Sequence, residues 1–177
     1  MIQEAVKRLF FIIFIGSHLL AVNKDDDVPY IKYAKEITEP FIAECKKKYD
    51  LECIGTGGRF TYNIAQINLH FLAYRKGSIE EARILEVKMI ENLLNKINSD
   101  DKIKPFLFEY PFKTNNLDIS ISYQKKDDSN YTDGSVALVF LGKNKLFYCA
   151  EDPKTGKLVD LLEEPYEEAK IIVNKTK

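Results

Sequence analysis

Cys149 and His70 are the residues of this chain whose types could support covalent chemistry. A thiolate attacks an acyl carbon when a neighbouring histidine takes its proton, and a third polar group such as Asn68 would orient the ring. Such a site would make the protein a small hydrolase. Against it, no helix start follows Cys149 to lower its pKa, and no family signature surrounds it. Cys149 closes an apolar stretch, where a cysteine commonly serves as a small buried hydrophobe. His70 is the only histidine after residue 21, so histidine-based chemistry in a processed chain would have to use it.

A second set is electrostatic. Arg83 and Glu86 stand three residues apart on the otherwise apolar side of a helical pattern. That spacing lets them bridge each other at the edge of a helix–sheet contact, with the Arg83 stem reaching to solvent. The functional alternative is a partly buried polar site that also draws on His70, Gln66 or Asn68. The structural reading is preferred, because most such pairs hold structure. A third set is aromatic: Phe106, Phe108, Tyr110 and Phe112 within the run 103–112. A loop this apolar is expected to lie against the core; exposed, it would be a partner-binding patch.

Other chemistry finds little support. The three cysteines after residue 21, Cys45, Cys53 and Cys149, form no CxxC or Cys/His cluster, so no zinc site or other cofactor is expected. Cys45 and Cys53 are near enough in sequence to bridge. Gly55-Thr56-Gly57-Gly58 lacks the fingerprint of a phosphate loop and reads as a hairpin turn. GxSxG is absent. The acidic runs 25–27 and 127–128 lack the alternation of a calcium loop. Asn130 and Asn174 begin glycosylation acceptor triplets, relevant only in a source that glycosylates secreted chains.

Residues 1–21 have the pattern of a signal peptide: Lys7 and Arg8, then an apolar run of about 13 residues, too short to span a membrane. Export to a periplasm or medium follows as the expectation, with an uncleaved membrane anchor or a buried N-terminal helix as the alternatives. The remainder, 22–177, is long enough and apolar enough, at 45% hydrophobic overall, for one domain with its own core. A net charge of −1 with interspersed signs gives no ground for nucleic-acid binding.

The element that must organise this domain is the run 78–98. Ser78 and Glu81 can form a capping box, and Ile79, Ala82, Val87, Met89, Ile90, Leu93, Leu94 and Ile97 share one helical face. A first helix is expected over 28–49, capped by Asp27 and kinked or split by Pro40. Segment 60–75 reads as a strand with a bulge at Ala65-Gln66, where the apolar parity changes. Residues 117–123 alternate cleanly, 136–141 and 145–149 form a hairpin, 158–162 is a further strand, and 165–173 a last helix. Together these give an α+β domain: an antiparallel meander of five to six strands with two or three helices packed mainly on one face. The element order resembles that of profilin-like and roadblock-like domains as a topological likeness, which implies nothing about activity. The functional expectation is an exported, non-enzymatic domain binding another protein, with the Cys149–His70 hydrolase as the alternative.

Overall fold

The computed structural model describes residues 28–175. The signal-like segment 1–21 and the acidic run 25–27, including Asp27, lie outside the described residues. Helix α1 (Pro29–Tyr49) leads into β1 (Glu52–Arg59) and β2 (Gln66–Ala73), followed by α2 (Ile79–Ser99). Strands β3 (Leu117–Tyr123), β4 (Leu138–Gly142), β5 (Lys145–Glu151) and β6 (Leu158–Pro165) come next, and α3 (Tyr166–Lys175) closes the chain. The strands form one sheet in sequence order, β1 to β6. All neighbours are antiparallel except β2 and β3, which run parallel. A parallel pair needs a crossover of a dozen residues or more, and α2 supplies it. The expected α+β meander is therefore present, with one parallel step, between β2 and β3.

Side-chain parity explains why the helices gather on one face. Ile67, Leu69 and Phe71 of β2 and Ile119, Ile121 and Tyr123 of β3 point the same way as Val139, Leu141, Leu146 and Tyr148, and all are buried. Against them lie Ala82, Met89, Ile90, Leu93 and Ile97 of α2, Phe41 of α1, and Tyr166 and Ala169 of α3. The Ser78 hydroxyl accepts the Glu81 N–H at 3.1 Å. The Glu81 carboxylate does not reach back; it accepts from Arg75 Nε at 2.7 Å.

Several expectations are corrected. Helix α1 runs unbroken through Pro40, a residue exposed on its outer side. The glycine cluster is not a turn: Gly55, Gly57 and Gly58 lie within β1, an edge strand where missing side chains cost little packing. Gly58 has a steric reason to be glycine, because a Cβ there would sit 2.2 Å from the Gln66 carbonyl oxygen. The connection to β2 is instead 60–65, so the parity change arises because β2 begins at Gln66, not from a bulge at that point. The irregularity in this pair falls on β1, between Cys53 and Gly55. The hairpin 142–145 does turn as expected, with Lys143 and Asn144 at φ of 50° and 60°. Finally, Cys45, Cys53 and Cys149 are all free thiols, and Cys45 is sealed in the core.

Candidate functional site

The sheet separates the residues that a catalytic site would need. His70 projects from the face of the sheet opposite the helices, and its Nδ1 lies 2.8 Å from Ser120 Oγ on β3. Cys149 is on β5, three strands away, which at about 4.8 Å per strand puts it about 14 Å from His70 across the sheet. Its thiol faces Asp160 Oδ1 at 3.6 Å and is 5% exposed. Burial pushes its pKa up, and the Asp160 carboxylate adds to this. A buried thiol held in its protonated form, three strands from His70, lacks the paired histidine that a Cys–His nucleophile needs.

Arg83 and Glu86 do not bridge each other. Arg83 donates from Nε and Nη2 to the two Glu164 oxygens, at 2.7 and 3.1 Å. The Tyr148 hydroxyl adds a third bond to Glu164 at 2.6 Å. Glu86, wholly buried, has neither carboxylate oxygen hydrogen-bonded. Burial lifts its pKa well above the carboxylate range, with the nearby Asp118 charge as a smaller cause. The Gln66, Asn68 and His70 side chains are not part of this cluster, because β2 parity sends them to the other face.

The aromatic run divides in two. Phe112 is buried, and Asn98 clamps its backbone in both directions: Asn98 Oδ1 accepts the Phe112 N–H at 2.7 Å and Asn98 Nδ2 donates to the Phe112 carbonyl at 2.9 Å. Phe106 stacks on Tyr33 of α1 at 5.2 Å between ring centroids. Ile64 bonds its backbone to both Phe106 and Phe108, at 2.7 and 3.0 Å. Between these anchors the chain presents Phe108, 66% exposed, and Tyr110, 58% exposed. Lys104 Nζ sits 5.1 Å from the Tyr110 ring. Tyr62, two residues before the Ile64 anchor, is 87% exposed. The expectation that the run lies against the core holds for Phe112 and partly for Phe106, but not for Phe108 or Tyr110.

The sequence reading missed Tyr62, Asn98, Glu164 and Tyr148. Only Tyr62 had a local signal, an aromatic beside the glycine-rich strand; the others depend on tertiary neighbours.

Other candidates also have plain positions. Asp127 accepts from the Ser129 hydroxyl and N–H in an exposed loop. Asn130, the first acceptor asparagine, donates to Glu151. Among the described residues no three His, Cys, Asp or Glu side chains group as metal ligands. Among them, too, no helix is long and apolar enough to cross a membrane. No protein-family model, curated protein or solved structure matches the chain.

Proposed function

We propose that this protein is a non-enzymatic binding domain that acts after export, and that it engages a protein partner through Phe108, Tyr110 and Tyr62. The observation that carries the reading is the anchored display of Phe108. Large aromatics exposed on a loop whose two ends are fixed give up little conformational entropy on binding, and such side chains dominate interface energetics. Their partner would offer an apolar pocket; Lys104 beside Tyr110 is already paired with Asp101 at 2.7 Å. The export part of the reading rests on the pattern of residues 1–21 alone. The hydrolase alternative loses support from the separation of Cys149 and His70.

The test is a proximity crosslink in the native compartment. A photoreactive phenylalanine analogue at position 108 is expected to capture a specific protein, and the Tyr62→Ser/Tyr110→Ser variant of that chain is expected to lose it. Capture unchanged by those two substitutions, or none at all, would overturn the reading.

A further inference from the structure

The face of the sheet turned away from the helices carries an organised polar strip. In the parallel pair, Asn68 lies beside Asp118 and His70 beside Ser120. On the β1 side the partners of Asn68 and His70 are Gly57 and Gly55, so no side chain rises beside those two, while Arg59 stands beside Gln66 at the start of β2. On the other side Phe140 stands opposite Ser120, and Phe147 opposite Phe140. Their rings stack at 4.9 Å with planes 11° apart. The result is a trough: a polar floor two strands wide, a glycine margin, and a flat aromatic wall.

At the start of β2 and β3 the trough deepens. Gln66, Asp118, Phe140, Thr114 and Lys143 border a depression of about 420 Å³, within the roughly 300–1,000 Å³ of small-ligand pockets. The side chains here are open to a ligand. Gln66, Asp118 and Lys143 make no hydrogen bond or ion pair with other described residues. Asn68 Oδ1 also lacks a donor, but it is sealed from solvent beneath the strip and is not offered to a ligand.

We propose that this trough is a binding site for a neutral sugar. Charge and polarity decide the class. The two cations beside the depression, Arg59 on β1 and Lys143 beyond β4, stand on opposite sides of it with Asp118 on β3 between them, so they do not converge as the cation cluster of a phosphate or other anion site would. A purely apolar ligand would strip water from Asp118 and Gln66 without replacing its hydrogen bonds. A sugar ring meets both requirements. Its hydroxyls donate to Asp118 and accept from the Gln66 amide and Lys143, while its C–H face lies on the Phe140 ring. These residues are distinct from the Phe108–Tyr110 display, and the proposal stands without it.

The experiment is saturation-transfer NMR on the full chain with maltotriose, xylotriose and chitotriose as probes. At least one is expected to receive transfer. Asp118→Ala is expected to weaken that sugar by about tenfold or more, the value of a hydrogen bond to a charged group. Phe140→Leu is expected to do the same, and Phe108→Ser to change nothing. If Phe140→Leu disturbs folding, Asp118→Asn and Gln66→Ala read the site independently, since both residues are only half-buried. No transfer to any of the three sugars, or equal affinity in the Asp118 and Gln66 variants, would overturn the proposal.

Discussion

Arg83 on α2 holds Glu164 on β6 by two parallel hydrogen bonds, tying the central helix to an edge strand 81 residues later in the chain. Both side chains are largely withdrawn from solvent, at 14% and 10% exposure. Breaking such a pair by removing one partner leaves the other charge buried and uncompensated, at about 3–5 kcal/mol. Arg83→Met is therefore expected to lose that much unfolding free energy in urea denaturation. The triple variant Arg83→Met/Tyr148→Phe/Glu164→Leu should recover most of it, because neither a charge nor the Tyr148 hydroxyl that donates to Glu164 is left stranded. A triple variant as unstable as the single one would show that the stranded charge is not the cause.

Two neighbouring glycines of β1 should respond in opposite ways. A Cβ at Gly57 meets nothing within 4 Å, whereas at Gly58 it would strike the Gln66 carbonyl and the Phe60 ring at 2.2 and 2.5 Å. Gly57→Ala is expected to be neutral or to stabilise by about 0.5–1 kcal/mol, through lost freedom of the unfolded chain. Gly58→Ala should destabilise by about 1–3 kcal/mol, since backbone cannot move aside as a flexible side chain can. Thermal unfolding of the two variants decides it: equal melting temperatures would contradict the assigned strand geometry.

What could be read from the sequence was what is local. Helix α2 announced itself through a 100° periodicity and Ser78, and β3 through strict alternation from Leu117 to Tyr123. The turn between β4 and β5 followed from Gly142-Lys143-Asn144 between two apolar runs. The parallel placement of β2 beside β3 had no such signal, because register across a crossover is set by packing rather than by neighbours in sequence. For the same reason Glu164 could not be found as the partner of Arg83. The i,i+3 rule offered Glu86 instead, but a bidentate guanidinium–carboxylate contact with a tyrosine beside it outcompetes that pairing. The aromatic run divided because Asn98 and Tyr33, both distant in sequence, anchor some of its residues and not others. Alternation in β4 and β5, combined with the turn, would have put Phe140 opposite Phe147. The open trough was thus partly legible.

The thiols should differ in reactivity in a way that no catalytic cysteine would allow. Cys45 is wholly buried and its pKa is pushed up to about 12, chiefly by burial. Cys149 is also buried and raised. Cys53 is raised by burial too, but it is only half-buried. Alkylation of the folded protein at pH 8 should therefore label Cys53 first, with Cys45 and Cys149 reacting only on unfolding. Peptide mapping by mass spectrometry reads the order. Rapid labelling of Cys149 would revive the nucleophile reading.

Glu86 should give the fold an alkaline weakness. In the unfolded chain its carboxyl titrates near 4.5, while burial holds the folded value well above that. Below about pH 4.5 the group is protonated in both states, and its contribution is fully present. As pH rises the unfolded chain ionises freely and the folded one does not, so stability falls until pH passes the folded pKa, by at most about 1.4 kcal/mol per pH unit. The groups that Glu86 influences electrostatically, Tyr123, Tyr148 and Tyr166, are themselves raised by burial and stay neutral through this range. Carboxylates held low, such as Asp133 at about 2, finish titrating before it begins. Denaturation between pH 5 and 8 should accordingly show declining stability in the wild type and a much flatter profile in Glu86→Gln. Parallel profiles would mean that Glu86 ionises in the fold as readily as it does in water, which its unpaired oxygens forbid.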